Sequence, residues 1–225
     1  MKFREDYKQI FPLKPDILVI PECEDVKKIN FDLFSSHITD SYWIGDNKSK
    51  GLGVFTFNDF KIKLYDGYND KYKYILPLII SNDKESYHLV GCWTKKNEGG
   101  LRYIQNLGYS LKEYDSFINN NNVIICGDLN SNKIWDKTSE YPNHSDTVEI
   151  LLKKNILSTY HNFHNEEQGE ERIPTYFHYH QKERPFHIDY CFLSEKLINN
   201  LKKVELGSYE DWMKFSDHVP MIVDF

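Results

Sequence analysis

The chain has 225 residues, of which 40% are hydrophobic and 15% aromatic, enough apolar material for one large domain over residues 1–225. A net charge of −6 excludes the broad basic surface that attracts polyanions, so any binding of nucleic acid would have to be local. Neither end carries the apolar stretch of a signal peptide or membrane helix, and we expect a soluble, cytoplasmic monomer with no membrane partner.

The N-terminal half predicts one helix followed by short strands. Phe3, Tyr7 and Ile10 have a helical spacing that stops before Pro12, which places a short helix at the start of the chain. The β-favouring runs that follow predict strands at 16–20, 42–44, 52–57, 61–65, 74–80 and 87–93. Because the turns between them are short, we expect antiparallel meanders.

The C-terminal half predicts two helices and five strands. Apolar residues recur every 3.6 positions over 101–118, which indicates a long amphipathic helix, and a second helix is expected near 146–154 with Ser145 as its N-cap. Strands are expected at 123–126, 175–178, 187–193, 204–206 and 220–225. Helices would therefore cover the faces of the sheets.

Acids and amides collect where these strands begin or end. They are Glu22, Asp128 and Asn130 of Gly127-Asp128-Leu129-Asn130, Asp189, and the pair Asp217-His218. Oxygen ligands of this kind suit Mg²⁺, and a phosphate ester is the natural substrate of such a site. Each motif alone is also typical of a turn or a helix cap, so only the whole set favours a site.

Taken in chain order, the set resembles the endonuclease/exonuclease/phosphatase superfamily, which includes deoxyribonuclease I, abasic-site nucleases and inositol-polyphosphate phosphatases. The resemblance runs through Pro15–Glu22, Gly51–Val54, Leu89–Trp93, Val123–Asn130, His187–Tyr190 and Ser216–His218. It implies an α+β fold, a four-layer α/β/β/α sandwich in which two mainly antiparallel sheets are flanked by helices.

The resemblance also implies roles for individual residues. Glu22 matches the family's metal-binding glutamate and would ligate Mg²⁺, or Mn²⁺ as a substitute, with Asp217 as a second metal-side acid. Asp128 and Asn130 would position the attacking water and hold phosphate or a second metal. His218 would be the catalytic imidazole, with Asp189 fixing its tautomer, and whether His218 is the base or an electrostatic donor stays open.

Four further residues are expected to contact substrate. Trp93 would form a wall of the cleft, although a core position is the alternative, and Lys95 or Lys96 would offer charge to a phosphate. Trp135 closely follows the Gly-Asp-Leu-Asn turn. His144 precedes a helix start, where backbone N–H groups can meet a phosphate.

The sequence departs from the family pattern at its start. The resemblance implies a first strand that ends in an asparagine, whereas Met1 leads directly into the first helix. A start codon placed too late, a shortened chain and a natural variant would each explain this, and we favour the first. We expect that restoring such a strand raises stability and Mg²⁺-dependent activity together; an unchanged melting temperature and rate would contradict this.

The expected function is that of a metal-dependent phosphodiesterase, an endo- or exonuclease that hydrolyses DNA or RNA by direct attack of water. One alternative is a small-molecule phosphatase that acts on an inositol phosphate or similar ester. The other is a catalytically weakened binding domain of the same fold.

Overall fold

Two β-sheets form the centre of the computed structural model, which describes residues 8–28, 38–96, 100–120 and 122–225. The strands of the N-terminal half are β1 Ile17–Cys23, β2 Asp40–Asn47, β3 Lys50–Thr56, β4 Lys61–Leu64, β5 Ile75–Ser81 and β6 Ser86–Trp93. Those of the C-terminal half are β7 Val123–Asp128, β8 Ile156–Ser158, β9 Tyr176–Phe177, β10 Pro185–Phe186, β11 Asp189–Ser194, β12 Lys203–Leu206 and β13 Met221–Asp224.

The described helices are short and lie between strands. They are α1 Ile104–Glu113, α2 Asp115–Ile118, α3 His144–Leu152, α4 Thr159–His164, α5 Glu195–Ile198 and α6 Tyr209–Trp212. No helix of the described ranges is long and apolar enough to cross a membrane.

The first sheet has the strand order β4-β5-β6-β7-β11-β8. Its pairs are antiparallel except β6–β7, which is parallel because the connection through α1 and α2 returns the chain to the same end of the sheet. The prediction of antiparallel meanders for the N-terminal half is therefore confirmed for β2 with β3 and for β4, β5 and β6.

The second sheet is divided. One part has the order β1-β3-β2, and the other is the pair β12-β13. β1 packs on β6 and β7, whereas β13 packs on β11, the neighbour of β7. Among the described residues no strand lies between β1 and β13, and we call the space between them the β1–β13 opening.

Three apolar clusters fill the spaces between the layers. Leu107 and Leu111 of α1 pack against Val90 and Ile125 on one face of the first sheet. Leu52 and Leu89 belong to the core between the two sheets. A third cluster around Phe55 includes Phe11 and Trp212 on the outer face of the second sheet. The layers are thus helix, sheet, sheet and helix, which confirms the predicted α+β sandwich.

Several predicted boundaries are wrong for local reasons. The helix expected over 101–118 begins at Ile104 and breaks at Tyr114, whose ψ of 21° leaves the helical range. The N-cap of α3 is Asn143, which forms a capping box with Asp146, and not Ser145. Of the helix predicted at the chain start, residues 1–7 lie outside the described ranges and residues 8–10 are helical.

The segment around residue 180 also differs from the prediction. The strand expected over 175–178 is limited to β9, because His178–His180 forms a 3₁₀ turn in which Tyr179 has a φ of 54°. β9 pairs with β10 as a two-stranded hairpin. This hairpin lies beside the strand ends that carry the acids, since Tyr176 bridges to His218.

Candidate active site

The fold brings the ends of distant strands to one edge of the sandwich. β7 ends at Asp128, and the antiparallel strand β11 begins at its partner, Asp189. His218 precedes β13, and Glu22 lies near the end of β1, where the register shifts between Ile20 and Cys23. Because neighbouring antiparallel strands begin and end at the same edge, residues far apart in sequence become neighbours.

His218 and Asp189 form a hydrogen-bonded pair. The His218 Nδ1 lies 2.8 Å from Asp189 Oδ2. The backbone N–H of Asp189 donates to Thr175 Oγ1 at 3.0 Å, which holds the start of β11 in place. With Nδ1 engaged by the carboxylate, Nε2 is the nitrogen left to meet a substrate.

The electrostatic surroundings favour the charged imidazole. Burial by itself would lower the pKa of His218, but the nearby charge of Asp189, the hydrogen bond to it, and the charges of Asp128 and Asp217 together raise that pKa to about 9. His218 is therefore protonated at neutral pH in the metal-free protein. A protonated imidazole donates hydrogen bonds and stabilises negative charge.

At Asp128 the surroundings disfavour the charged form, because its side chain is 4% exposed and faces other acids. Burial raises its pKa well above the usual range, the charge of Asp189 adds to this, and Glu22 acts in the same direction. The charge of His218 and the backbone N–H of Asn130 oppose the rise. Burial and the charge of Asp189 thus outweigh the one positive neighbour that would keep the carboxyl ionised.

The Gly-Asp-Leu-Asn segment forms a tight polar turn around this carboxyl. Asn130 donates its backbone N–H to Asp128 Oδ1 at 2.7 Å and its side-chain amide to Oδ2 at 2.6 Å. Its amide also donates to the Thr94 carbonyl at 3.1 Å. Gly127 has a φ of 136°, and a side chain there would collide with the carbonyl of Cys92. The motif is a turn and part of the acidic cluster at once.

Glu22 and Asp217 complete the cluster from two sides. Glu22 has a left-handed φ of 58° and pairs with Lys50, whose Nζ lies 2.6 Å from its Oε2. Asp217, Asp128 and Glu22 all raise the pKa of Tyr176, although burial is the main cause. Four carboxylates, those of Glu22, Asp128, Asp189 and Asp217, therefore share this edge with a single imidazole.

The arrangement fits a hydrated divalent cation. In the described parts of the chain, no three or more His, Cys, Asp or Glu side chains are arranged to hold a metal by themselves. Mg²⁺ needs no such cage, because it keeps several waters and takes one or two carboxylates together with substrate phosphates. The raised pKa of Asp128, caused mainly by burial and then by Asp189, reflects excess negative charge that a cation would relieve.

Tyr176 is a member of the site that the sequence does not reveal. Its ring centroid lies 4.6 Å from that of His218, and its hydroxyl lies 2.7 Å from His178 Nδ1. The only sequence signal is the alternation of Tyr176 and His178, which share a face of an extended chain. The contact itself depends on the bridge between the hairpin and the segment before β13.

The predicted substrate contacts have different surroundings. Trp93 is 7% exposed and packs edge-on against Tyr74, with ring centroids 4.8 Å apart. Lys95 lies beside it and pairs with Asp46 at 3.5 Å. Trp135 is 44% exposed and packs near Phe186 at 5.0 Å, so its indole lies at the surface.

The prediction for His144 is corrected by the structure. Its ring is 1% exposed, and its nitrogens lie 3.2 Å from Ser131 Oγ and 3.0 Å from Gln168 Oε1. Its backbone N–H, which was expected to meet a phosphate, donates to Asp136 Oδ1 at 2.8 Å. Both the side chain and the helix start are occupied within the protein, so His144 is structural.

The chain has the fold of the endonuclease/exonuclease/phosphatase superfamily. It is similar to the endonuclease domain of TRAS1, a telomere-specific non-LTR retrotransposon, with a TM-score of 0.68 at 15% identity over 98% of this chain and 89% of that one. The 3′–5′ exonuclease NExo from Neisseria meningitidis matches with a TM-score of 0.69 at 16% identity, covering 100% and 96% of the two chains.

An AP endonuclease from Archaeoglobus fulgidus matches with a TM-score of 0.68 at 16% identity, over 100% of this chain and 95% of that one. The sequence matches no protein-family model, and no curated protein is significantly similar to it. At these identities the likeness establishes the fold alone. The chemistry must be argued from the site.

Proposed function

We propose that this chain is a divalent-metal-dependent phosphoesterase that cleaves a phosphodiester by direct attack of water. The observation that carries the proposal is the gathering of four carboxylates around one charged imidazole at a single edge of the sandwich. Such an excess of negative charge is costly unless a cation or a substrate group compensates it.

Within this proposal, Glu22 and Asp217 hold Mg²⁺, or Mn²⁺ in its place. When bound, the ion polarises a phosphoryl oxygen and favours the ionised form of water. The pair of Glu22 with Lys50 is exposed and exchangeable, so the glutamate is accessible to an ion.

His218 acts as the electrostatic donor. Burial lowers its pKa, but Asp189, with Asp128 and Asp217, raises it to about 9, so His218 carries a proton at neutral pH and Nε2 can donate to a phosphoryl oxygen. Asp189 holds the ring orientation through Nδ1 at 2.8 Å. Asp128 would be the base that receives a proton from water: burial and Asp189 raise its pKa, and a bound cation would favour the ionised carboxylate that this role requires.

A nucleic acid is the favoured substrate class. NExo, a 3′ phosphatase, has been solved bound to a product DNA hairpin, so a protein of this fold binds DNA. Carried to this chain, that likeness supports DNA or RNA over an inositol phosphate. The runner-up is a small-molecule phosphatase, and a weakened binding domain is the alternative outside the enzyme class.

The test measures Mg²⁺-dependent cleavage of three substrates under identical conditions: a single-stranded oligonucleotide, a duplex with an abasic site, and an inositol phosphate. We expect cleavage of a nucleic acid that stops with a chelator and requires Glu22. Glu22→Gln serves as the matched variant, because it keeps the side-chain shape and removes the charge. Hydrolysis of the inositol phosphate alone would contradict the nuclease proposal and support a small-molecule phosphatase.

Metal binding provides an independent readout. Calorimetric titration of the protein with Mn²⁺ is expected to show binding that Glu22→Gln weakens. Binding of oligonucleotide without either metal binding or cleavage would support the non-enzymatic alternative and contradict the proposal.

A further inference from the structure

A cavity of about 520 Å³ opens next to the acidic cluster. Its lining includes Asp46, Lys73, Tyr74, Trp93, Lys95 and Lys96. Trp93 is the register partner of Asp128 in the parallel pair β6–β7. The next residue, Thr94, donates its N–H to the Asp128 carbonyl at 2.9 Å, so the cavity begins one residue away from the candidate active site.

The cavity is cationic although the protein is acidic. Four lysines and two aspartates line it, which leaves an excess of two positive charges, whereas the whole chain carries −6. An anionic ligand is therefore attracted here more strongly than to the average surface. Two of these lysines, Lys73 and Lys95, pair with the same carboxylate.

Asp46 holds these two ammonium groups in place. Its carboxylate lies 2.7 Å from Lys73 Nζ and 3.5 Å from Lys95 Nζ, and it accepts a hydrogen bond from the Tyr74 hydroxyl at 2.5 Å. The hydrogen bonds from Lys73 and Tyr74 lower the pKa of Asp46 to about 2, so it stays ionised. One carboxylate thus orders two cations and neutralises only one of them.

The ammonium group of Lys95 contacts two aromatic rings. Its Nζ lies 4.5 Å from the ring centroid of Tyr74 and 4.9 Å from that of Trp93. The side chains of Lys73 and Lys95 are 35% and 38% exposed, against 68% for the surface residue Lys63. Both are therefore more ordered than a solvated lysine, and a ligand meets positioned positive charge.

We propose that this cavity binds a second phosphate of the substrate, next to the one that is cleaved, through Lys73 and Lys95. The inference rests on the proposed function and narrows its substrate to a strand with at least two phosphates, such as an oligonucleotide. The volume accommodates the nucleoside that joins the two phosphates. Esters with one phosphate leave the lysines unused and bind more weakly.

The test compares two substrates and three proteins. The substrates are a short single-stranded oligonucleotide and bis(p-nitrophenyl) phosphate, which has one phosphate. The proteins are wild type, Lys95→Ala and the control Lys63→Ala, which removes one exposed lysine outside the cavity. We expect Lys95→Ala to raise KM for the oligonucleotide about tenfold and to change KM for the small ester less than about twofold.

A second measurement separates this inference from the proposed function. Binding of a labelled oligonucleotide to metal-free protein is followed by fluorescence polarisation with increasing inorganic phosphate. We expect weaker binding by Lys73→Ala and Lys95→Ala, unchanged binding by Lys63→Ala, and competition by phosphate. This arm remains decisive even if wild type cleaves neither substrate, an outcome that would overturn the proposed function only.

Two results would overturn the inference. An unchanged affinity in both cavity variants would show that no phosphate lies there. Equal losses for oligonucleotide and small ester in Lys95→Ala would place the lysine at the scissile phosphate instead of beside it.

Discussion

Two acid–histidine pairs in this molecule have nearly the same geometry and opposite surroundings. His218 Nδ1 lies 2.8 Å from Asp189, and His161 Nε2 lies 3.0 Å from Glu171. Glu171 also accepts hydrogen bonds from Asn132 and from the backbone N–H of Gly169, each at 3.0 Å. Burial would raise the pKa of Glu171, but these hydrogen bonds lower it to about 2.

The difference lies in what surrounds each pair. The Glu171 carboxylate accepts hydrogen bonds from several donors. Asp189, by contrast, lies beside a second acid, Asp128, and both interact with the charge of His218. Burial and the charge of Asp189 raise the pKa of Asp128. A satisfied pair stabilises the fold, and an acidic cluster without enough positive charge is arranged to receive a cation or a substrate. The pair alone therefore does not define a site.

The largest expected effect separates the two histidines by activity. His218→Ala should lower kcat by about 10²- to 10⁴-fold, the range for a residue that donates or accepts a proton in the transition state. His161→Ala should leave kcat of the folded protein nearly unchanged, because its hydrogen-bond partners Glu171, Ser158 and Gln168 lie outside the acidic cluster. Steady-state rates on a nucleic-acid substrate, corrected for the folded fraction, make the comparison. A wild-type rate in His218→Ala would remove this residue from the mechanism.

The second effect separates the two acids by stability. Glu171→Gln removes charge-assisted hydrogen bonds in a buried network and should destabilise the protein by about 2 kcal/mol. Asp128→Asn removes a carboxyl that is unfavourable in the metal-free protein at neutral pH, so the free energy of unfolding should stay equal or rise while activity is lost. Urea denaturation in the presence of a chelator measures both. Destabilisation of equal size in the two variants would contradict the distinction.

The smallest effect is a difference in pH dependence. Asp189 and its neighbours outweigh burial and raise the pKa of His218 from 6.5 to about 9, so its contribution to stability is complete below 6.5 and is lost as pH rises to 9. For Glu171, whose hydrogen bonds outweigh burial and lower the pKa from 4.5 to about 2, the contribution is complete above 4.5 and is lost as pH falls. Each is on the order of 1–3 kcal/mol.

The test measures the free energy of unfolding of the metal-free protein from about pH 6 to about pH 9.5, the range over which the His218 contribution should be lost. Asp128→Asn is the suitable background, because it removes the parallel titration of Asp128. Adding His218→Ala should flatten the alkaline decline. A decline that persists unchanged in the double variant would assign it to another group.

Much of the fold follows from local sequence. Short, β-branched apolar runs such as Val123–Cys126 become strands inside the sheet, where the ladder pairs their backbone groups and the layers on both faces cover their side chains. The stripe over residues 104–113 becomes α1 for the same reason. The short strand β8 and the helix α4 were not predicted, since three to six residues carry too little periodicity to identify.

The candidate site was predictable only as a list of residues. The acids could be named because they match a family pattern, but the contact of Tyr176 with His218 spans 42 positions and depends on the hairpin β9–β10. The ordering of Lys73 and Lys95 by Asp46 joins strand β2 to two separate loops, and no local sequence pattern predicts it. The start of a helix can bind a phosphate or form a capping network, and at His144 the backbone N–H is bonded to Asp136 within the protein.

The β1–β13 opening separates the two halves of the acidic cluster. Glu22 belongs to the strand on one side, and His218 precedes the strand on the other. Val19 and Val223, at the two edges, are only partly buried. The proposed metal ligand and the proposed proton donor thus lie on opposite sides of this opening, and β1 and β13 do not pair with each other among the described residues. A strand that pairs with both β1 and β13 would connect the two sides of the opening, so we expect it to raise thermal stability and metal affinity together.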